Sequence, residues 1–158
     1  NSRIIMRIIF SFFSLLLFAS CNTNVNSSYN IFKEDSWHTD SIITISHGVV
    51  DSTTKHNLYL KVRHNTDFEY QNIFLFVSFK EKTDTIEVIL SEKNGKWLGK
   101  GFGDIKEVDY CFAKNITLNS KQSSCITVEQ AMRYGDEPAI TSLKGIIALG
   151  LNVKKSEK

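Results

Sequence analysis

Leu58-Tyr59-Leu60-Lys61-Val62-Arg63 alternates apolar and polar-tipped side chains, one by one. In extended chain, a period of two puts Leu58, Leu60 and Val62 on one face and Tyr59, Lys61 and Arg63 on the other. One face is buried and the other meets water, as in a strand of an antiparallel sheet. Asn65-Thr66-Asp67 breaks the run. The same period recurs on either side. Ile43 and Ile45 share a face of a strand expected from about Ser41 to His47, and Gly48 to Lys55 supplies a turn. Ile73 to Phe79 is apolar on both faces, since Phe74 and Phe76 oppose Leu75 and Val77, which predicts a central strand covered on both sides. Ile86, Val88 and Leu90 form the next strand. Asn94-Gly95 is a turn signal, because both residues tolerate positive φ. Gly99, Gly101 and Gly103 follow closely. Alternation resumes at Val108, Tyr110 and Phe112, then at Ile126 and Val128. Glu129 to Arg133 is too short to commit to a helix. Leu143 to Val153 reads as a last strand containing Gly145 and Gly150. About eight short strands and no long amphipathic helix predict a mainly β protein, an antiparallel β-sandwich of the jelly-roll type. No internal repeat is visible.

The amino-terminal segment has a different logic. Met6-Arg7 precedes an apolar run from Ile8 to Phe18, then Ala19-Ser20 and Cys21. That is a charged region, a short apolar region and two small residues, the layout of an export signal. A cysteine directly after the small pair marks the bacterial lipobox. Cleavage is expected between Ser20 and Cys21, with a diacylglycerol on the thiol and a fatty chain such as palmitate on the new amine. Met6 is the expected start. About eleven apolar residues cover only about half of a 30 Å hydrocarbon core, so the run is too short to span it. Several acyl chains suffice for stable anchoring. Residues 1–20 are thus read as signal and 21–28, which after Cys21 is Asn, Ser and Thr with one valine, as a flexible tether. Residues 29–158 are read as one domain, with Trp37 opening its first structural contact.

The 19 basic and 17 acidic residues give a formal charge of +2. Arg3 and Arg7 leave with the signal and no acidic residue does, so the mature chain is close to neutral. Its composition is therefore no argument for nucleic acid as a partner. About 138 residues suffice for one domain with a real core. Besides Cys21 there are Cys111 and Cys125. A hairpin centred on Asn119 to Gln122 would offset them by about five residues, roughly 16 Å. A disulfide needs Cα atoms within about 7 Å. Two separate thiols are expected, with a disulfide as the alternative.

Chemistry-bearing motifs are sparse. His38, His47, His56 and His64 lack the close spacing of zinc ligands, and His56 and His64 fall at opposite ends of one strand, roughly 26 Å apart. No metal and no cofactor is expected apart from the lipid on Cys21. Glu87 and Glu129 are the nearest thing to a paired-carboxylate site, but each sits on a polar strand face, where a charge is usually only solvated. There is no Gly-x-Ser-x-Gly elbow and no cysteine–histidine signature, so no enzyme is expected. Gly99-Lys100-Gly101-Phe102-Gly103 leads into a strand, so no helix amino terminus faces a phosphate. Trp97, between Gly95 and Gly99, is either a sugar platform or protein hot spot, or a plug at one end of the sandwich. Arg133 either clamps loop carbonyls or meets a partner.

Several fragments, in order, carry a family resemblance. They are the lipobox at Cys21, Tyr29-Asn30-x-Phe32 with Trp37, and Leu58-x-Leu60-x-Val62-Arg63-His64-Asn65. Tyr70-x-Asn72-Ile73-Phe74 follows, then Asp84-Thr85-Ile86-Glu87 and Asn94-Gly95-Lys96-Trp97-Leu98-Gly99-Lys100-Gly101. Gln130-Ala131-Met132-Arg133, Leu143-Lys144-Gly145-Ile146 and Gly150-Leu151 close the series. Together they resemble the gliding motility lipoprotein GldH family of the Bacteroidota. The resemblance implies a non-catalytic envelope lipoprotein needed for gliding and tied to type IX secretion, an assembly or stabilising factor. Its partners would be the membrane, through the anchor, and other gliding or secretion lipoproteins. It transfers a chemical role to Cys21 alone. The resemblance also implies that surface display in this phylum would need an acidic stretch just after the cysteine; none follows Cys21 in the tether, so the periplasmic leaflet of the outer membrane is expected. The alternative is a lipoprotein that binds or cuts glycans through Trp97.

Overall fold

The computed structural model describes residues 27–48, 51–118 and 125–157. The expected signal, cleavage point, lipidated Cys21 and the 119–122 turn lie outside the described residues. Ten strands form: β1 (Ser27–Ile31), β2 (Ser36–His38), β3 (Ile43–Ser46), β4 (Lys55–His64), β5 (Asn72–Phe79), β6 (Lys82–Ile89), β7 (Lys106–Thr117), β8 (Cys125–Gln130), β9 (Ser142–Lys144) and β10 (Ile146–Lys155). Among the described residues one 3-10 turn covers Lys33–Asp35.

Two four-stranded antiparallel sheets carry the domain, in the orders β1-β10-β4-β7 and β3-β8-β5-β6. β2 and β9 form a separate ribbon, Trp37 opposite Leu143. With that ribbon set aside, the eight remaining strands follow the two-Greek-key path of a jelly roll. Leu58, Leu60 and Val62 of β4, with Leu149 and Leu151 of β10, face Ile73, Leu75, Val77, Ile126 and Val128 of the other sheet. All are buried, as the period of two requires.

Three strands lie outside the runs that alternation picks out: β1, β2 and β9. Gly145 splits the long strand expected from Leu143 to Val153: its φ of +87° turns the chain between β9 and β10. β1 opens at Ser27, so Ser27 and Ser28 belong to a strand and not to the tether. β5 is central but covered on one side only. Phe74 is 38 % exposed, because a two-layer sandwich has no third layer for the outer face. β8 ends at Gln130, and Ala131 to Arg133 forms no helical turn. The hairpin expected between Cys111 and Cys125 is absent. β7 and β8 lie in different sheets, the chain crossing from one layer to the other, and both thiols are free.

Candidate functional site

Four connections gather where β1, β4, β6 and β8 end: β1 to β3, β4 to β5, β6 to β7, and β8 to β10. Beneath them lies an aromatic cap. Phe32 stacks on Trp37 at 5.0 Å, and the Trp37 indole N–H donates to the Ser41 carbonyl at 2.9 Å. His64 is buried between Trp97, 4.7 Å away, and Phe68, 6.1 Å away. Gly145 fastens three segments together. Its N–H donates to Asp35 O at 2.8 Å, and its carbonyl accepts from Asn65 N at 2.9 Å. A Cβ there would fall 2.5 Å from Phe68 N, so only glycine fits.

This places each residue singled out in the sequence. Trp37 is wholly buried and offers no surface. Trp97 is half-buried against His64 and the core. Gly95 turns at φ +85° between Glu92 and Lys96. Gly99 and Gly101 let the loop lie against the start of β7: added Cβ atoms would meet Glu107 O at 2.2 Å and Ile105 O at 2.0 Å. Arg133 is exposed and makes no ion pair among the described residues. Pattern reading missed the large apolar side chains most exposed here: Phe102 at 95 % and Tyr134 at 73 %. They stand on two of the four connections, β6 to β7 and β8 to β9. An aromatic in a glycine-rich or Gly-Asp turn was the available signal.

A second feature is a charge cluster on the outer face of the first sheet. Register sets Arg63 opposite Glu107 and Lys61 opposite Asp109. Lys61 Nζ donates to Glu107 at 2.7 Å and Asp109 at 2.8 Å. Arg63 Nη2 donates to Glu107 at 2.8 Å, and the Tyr29 hydroxyl donates to it at 3.0 Å. The guanidinium lies 4.7 Å over the Tyr29 ring, which itself covers Gly150. Burial alone would raise the Glu107 carboxyl, but hydrogen bonds from Lys61 and Arg63 outweigh it and hold the group below the ordinary range. Burial opposes the Lys61 charge, and its bonds to Asp109 and Glu107 outweigh that and raise it. A carboxylate so saturated with donors is not poised to carry a proton at neutral pH. Glu87 and Glu129 lie on the outer face of the other sheet, opposite Phe74 and Phe76. Their positions are about 12 Å apart by strand spacing and rise. Among the described residues no group of three His, Cys, Asp or Glu could hold a metal, and no helix is long and apolar enough to cross a membrane.

Three histidines are buried with a nitrogen lacking a partner: His47, His56 and His64. His64 Nδ1–H donates to Asn65 O at 3.0 Å, leaving Nε2 among aromatic rings. Burial holds His47 and His64 below the ordinary 6.5. The folded chain keeps both neutral while the unfolded chain protonates them, so the unfolded state binds more protons below about pH 6.5. Stability is therefore expected to be full above that value and to fall as pH drops through it. A further fall follows below about pH 4.5, where Glu107 protonates in the unfolded chain. Urea midpoints measured at stepped pH check this. His64→Phe should flatten the first fall, and an unchanged profile would contradict the assignment.

The family described as GldH lipoprotein matches residues 24–153, from before β1 into β10, and so takes in both sheets. The chain belongs to the GldH lipoprotein family. It is 34 % identical to the gliding motility lipoprotein GldH homolog of Christiangramia forsetii, over 92 % of this chain and 93 % of that one. It is 30 % identical to gliding motility lipoprotein GldH of Flavobacterium johnsoniae, over 91 % and 92 %. Among solved structures, a tobacco streak virus coat protein covers 84 % of this chain and 87 % of its own, at 10 % identity and a TM-score of 0.32. At that score the likeness carries no functional weight.

Proposed function

We propose that this chain is a non-catalytic envelope lipoprotein that serves gliding motility as an assembly or stabilising factor linked to type IX secretion. Its thiol at Cys21 carries the lipid, and the domain faces the periplasm from the outer membrane. The observation that carries this reading is the match across both sheets to relatives named gliding motility lipoproteins. The loop end supports it: Phe102 and Tyr134 are large, exposed aromatics, the residue type that anchors protein contacts. Its partners are other gliding or secretion lipoproteins, and tethering raises the local concentration so that weak contacts hold. Trp97 weighs against glycan binding, since its ring packs on His64.

The test is complementation of a strain lacking the gene. The deletion should abolish spreading and export of surface adhesins, and the intact gene should restore both. Cys21→Ser should leave the protein in the soluble fraction and restore neither. Phe102→Ser with Tyr134→Ser should stay anchored at normal abundance yet restore spreading poorly. Normal spreading and export in the deletion strain would sink the reading.

A further inference from the structure

β1 enters its sheet at Ser27, opposite Asn152, and runs toward the loop end. The chain before it therefore leaves from the opposite, basal end, where β10 finishes. Five residues lie between Cys21 and Ser27, six steps along the chain. At about 3.3–3.6 Å per residue, β1 cannot begin more than roughly 20 Å from the Cys21 sulfur. The first residue of β1 therefore stays near whatever surface holds that sulfur.

The two ends carry opposite charge. Basal residues 51–55, 80–82, 114–118 and 154–157 hold six lysines against three carboxylates. The loop-end stretches 32–42, 65–71, 90–105 and 131–145 hold nine carboxylates against six cations. Some basal lysines are engaged: Lys82 with Asp84, Lys154 with Asp109 and Lys155 with Asp51. Lys55 and Lys114 make no ion pair among the described residues. With Lys155, Asn115 and Ser156 they line a shallow basin at the ends of β4, β7 and β10, where Glu157 is the one carboxylate against three lysines. Asn115, at φ +56°, is held there by its N–H bond to Asn57 Oδ1. β10 and β4 are the next strands in from β1, about 5 and 10 Å away, so the basin lies within reach of the anchored surface.

We infer that the basal end, centred on Lys55, Lys114 and Lys155, rests on the anionic phospholipid headgroups of the bilayer that holds Cys21. The inference rests on the reading of Cys21 as lipidated. A short tether alone keeps the domain nearby in any orientation. Lysines at the tethered end favour the orientation that brings them to the anionic surface, which holds the loop end outward and free for a partner.

The full-length lipidated protein is reconstituted into vesicles of phosphatidylcholine alone, or with phosphatidylglycerol added. It is then floated and treated with an amine-acylating reagent, and each lysine is read by mass spectrometry. Labelling of Lys55, Lys114, Lys154 and Lys155 should slow about fivefold in the anionic vesicles. Lys96 and Lys144, at the loop end, should label equally in both. High salt should remove the protection. In the triple variant Lys55→Glu, Lys114→Glu, Lys155→Glu, the protein should still float, with Lys154 no longer protected. Protein that floats but labels equally in both vesicles overturns this inference alone. Protein that does not float overturns the anchor, and this inference with it.

Discussion

Trp37→Ala should lower unfolding free energy by about 3–5 kcal/mol, the range for deleting a large buried aromatic. Trp37 has no exposed surface, stacks on Phe32 and spends its N–H on Ser41. It pairs with Leu143 across the small ribbon, so its ring ties the β1-to-β3 connection to the β8-to-β10 connection. Alanine would remove the stack, leave a cavity and strand a carbonyl. Whole-domain stability is typically about 5–15 kcal/mol, so the loss would cripple the fold. Trp37→Phe should retain much of the packing and cost less, since it loses only the indole bond and part of the volume. Urea unfolding of the three proteins gives the ranking. A midpoint for Trp37→Ala close to that of the parent would show that the cap is not structural.

Gly145→Ala should cost about 2–4 kcal/mol, through two independent penalties. The φ of +87° strains any side chain, and the new Cβ would sit 2.5 Å from Phe68 N and 2.8 Å from Phe68 Cα. Backbone cannot swing aside as a side-chain tip can, so the Asn65 and Asp35 hydrogen bonds would open with it. Gly135 separates the two penalties. Its φ is +57° and an added Cβ would meet nothing within 4 Å, so Gly135→Ala should cost only about 1–2 kcal/mol. Equal losses at the two sites would refute the argument from close approach.

Much of this fold is legible from the period of two. β4 announces itself because its inner and outer residues alternate without exception, and the two-sheet architecture follows from how many such runs there are. What the pattern lacks is partner choice. Nothing local tells β7 that it pairs with β4 and not with β8, so a hairpin is the natural misreading. β1 is hidden because Ser27-Ser28-Tyr29-Asn30 is polar, as an edge strand can be. Gly145 reads as one more residue in an apolar run until its φ is known. The site is less legible than the fold. Trp37 and Trp97 look alike in sequence, yet one is wholly buried and the other half-buried. Lys61, Arg63 and Glu107 form one cluster across 46 and 44 residues of chain, visible only once register is fixed.

The pairing of β1 with β10 sets an order of events at birth. The strand next to Cys21 is synthesised first, while its neighbour arrives about 120 residues later, roughly 6–24 s at ordinary elongation rates. Until then the first strand has no ladder to join. The first sheet can therefore close only when the last strand arrives, so the strand made first is among the last to find its place.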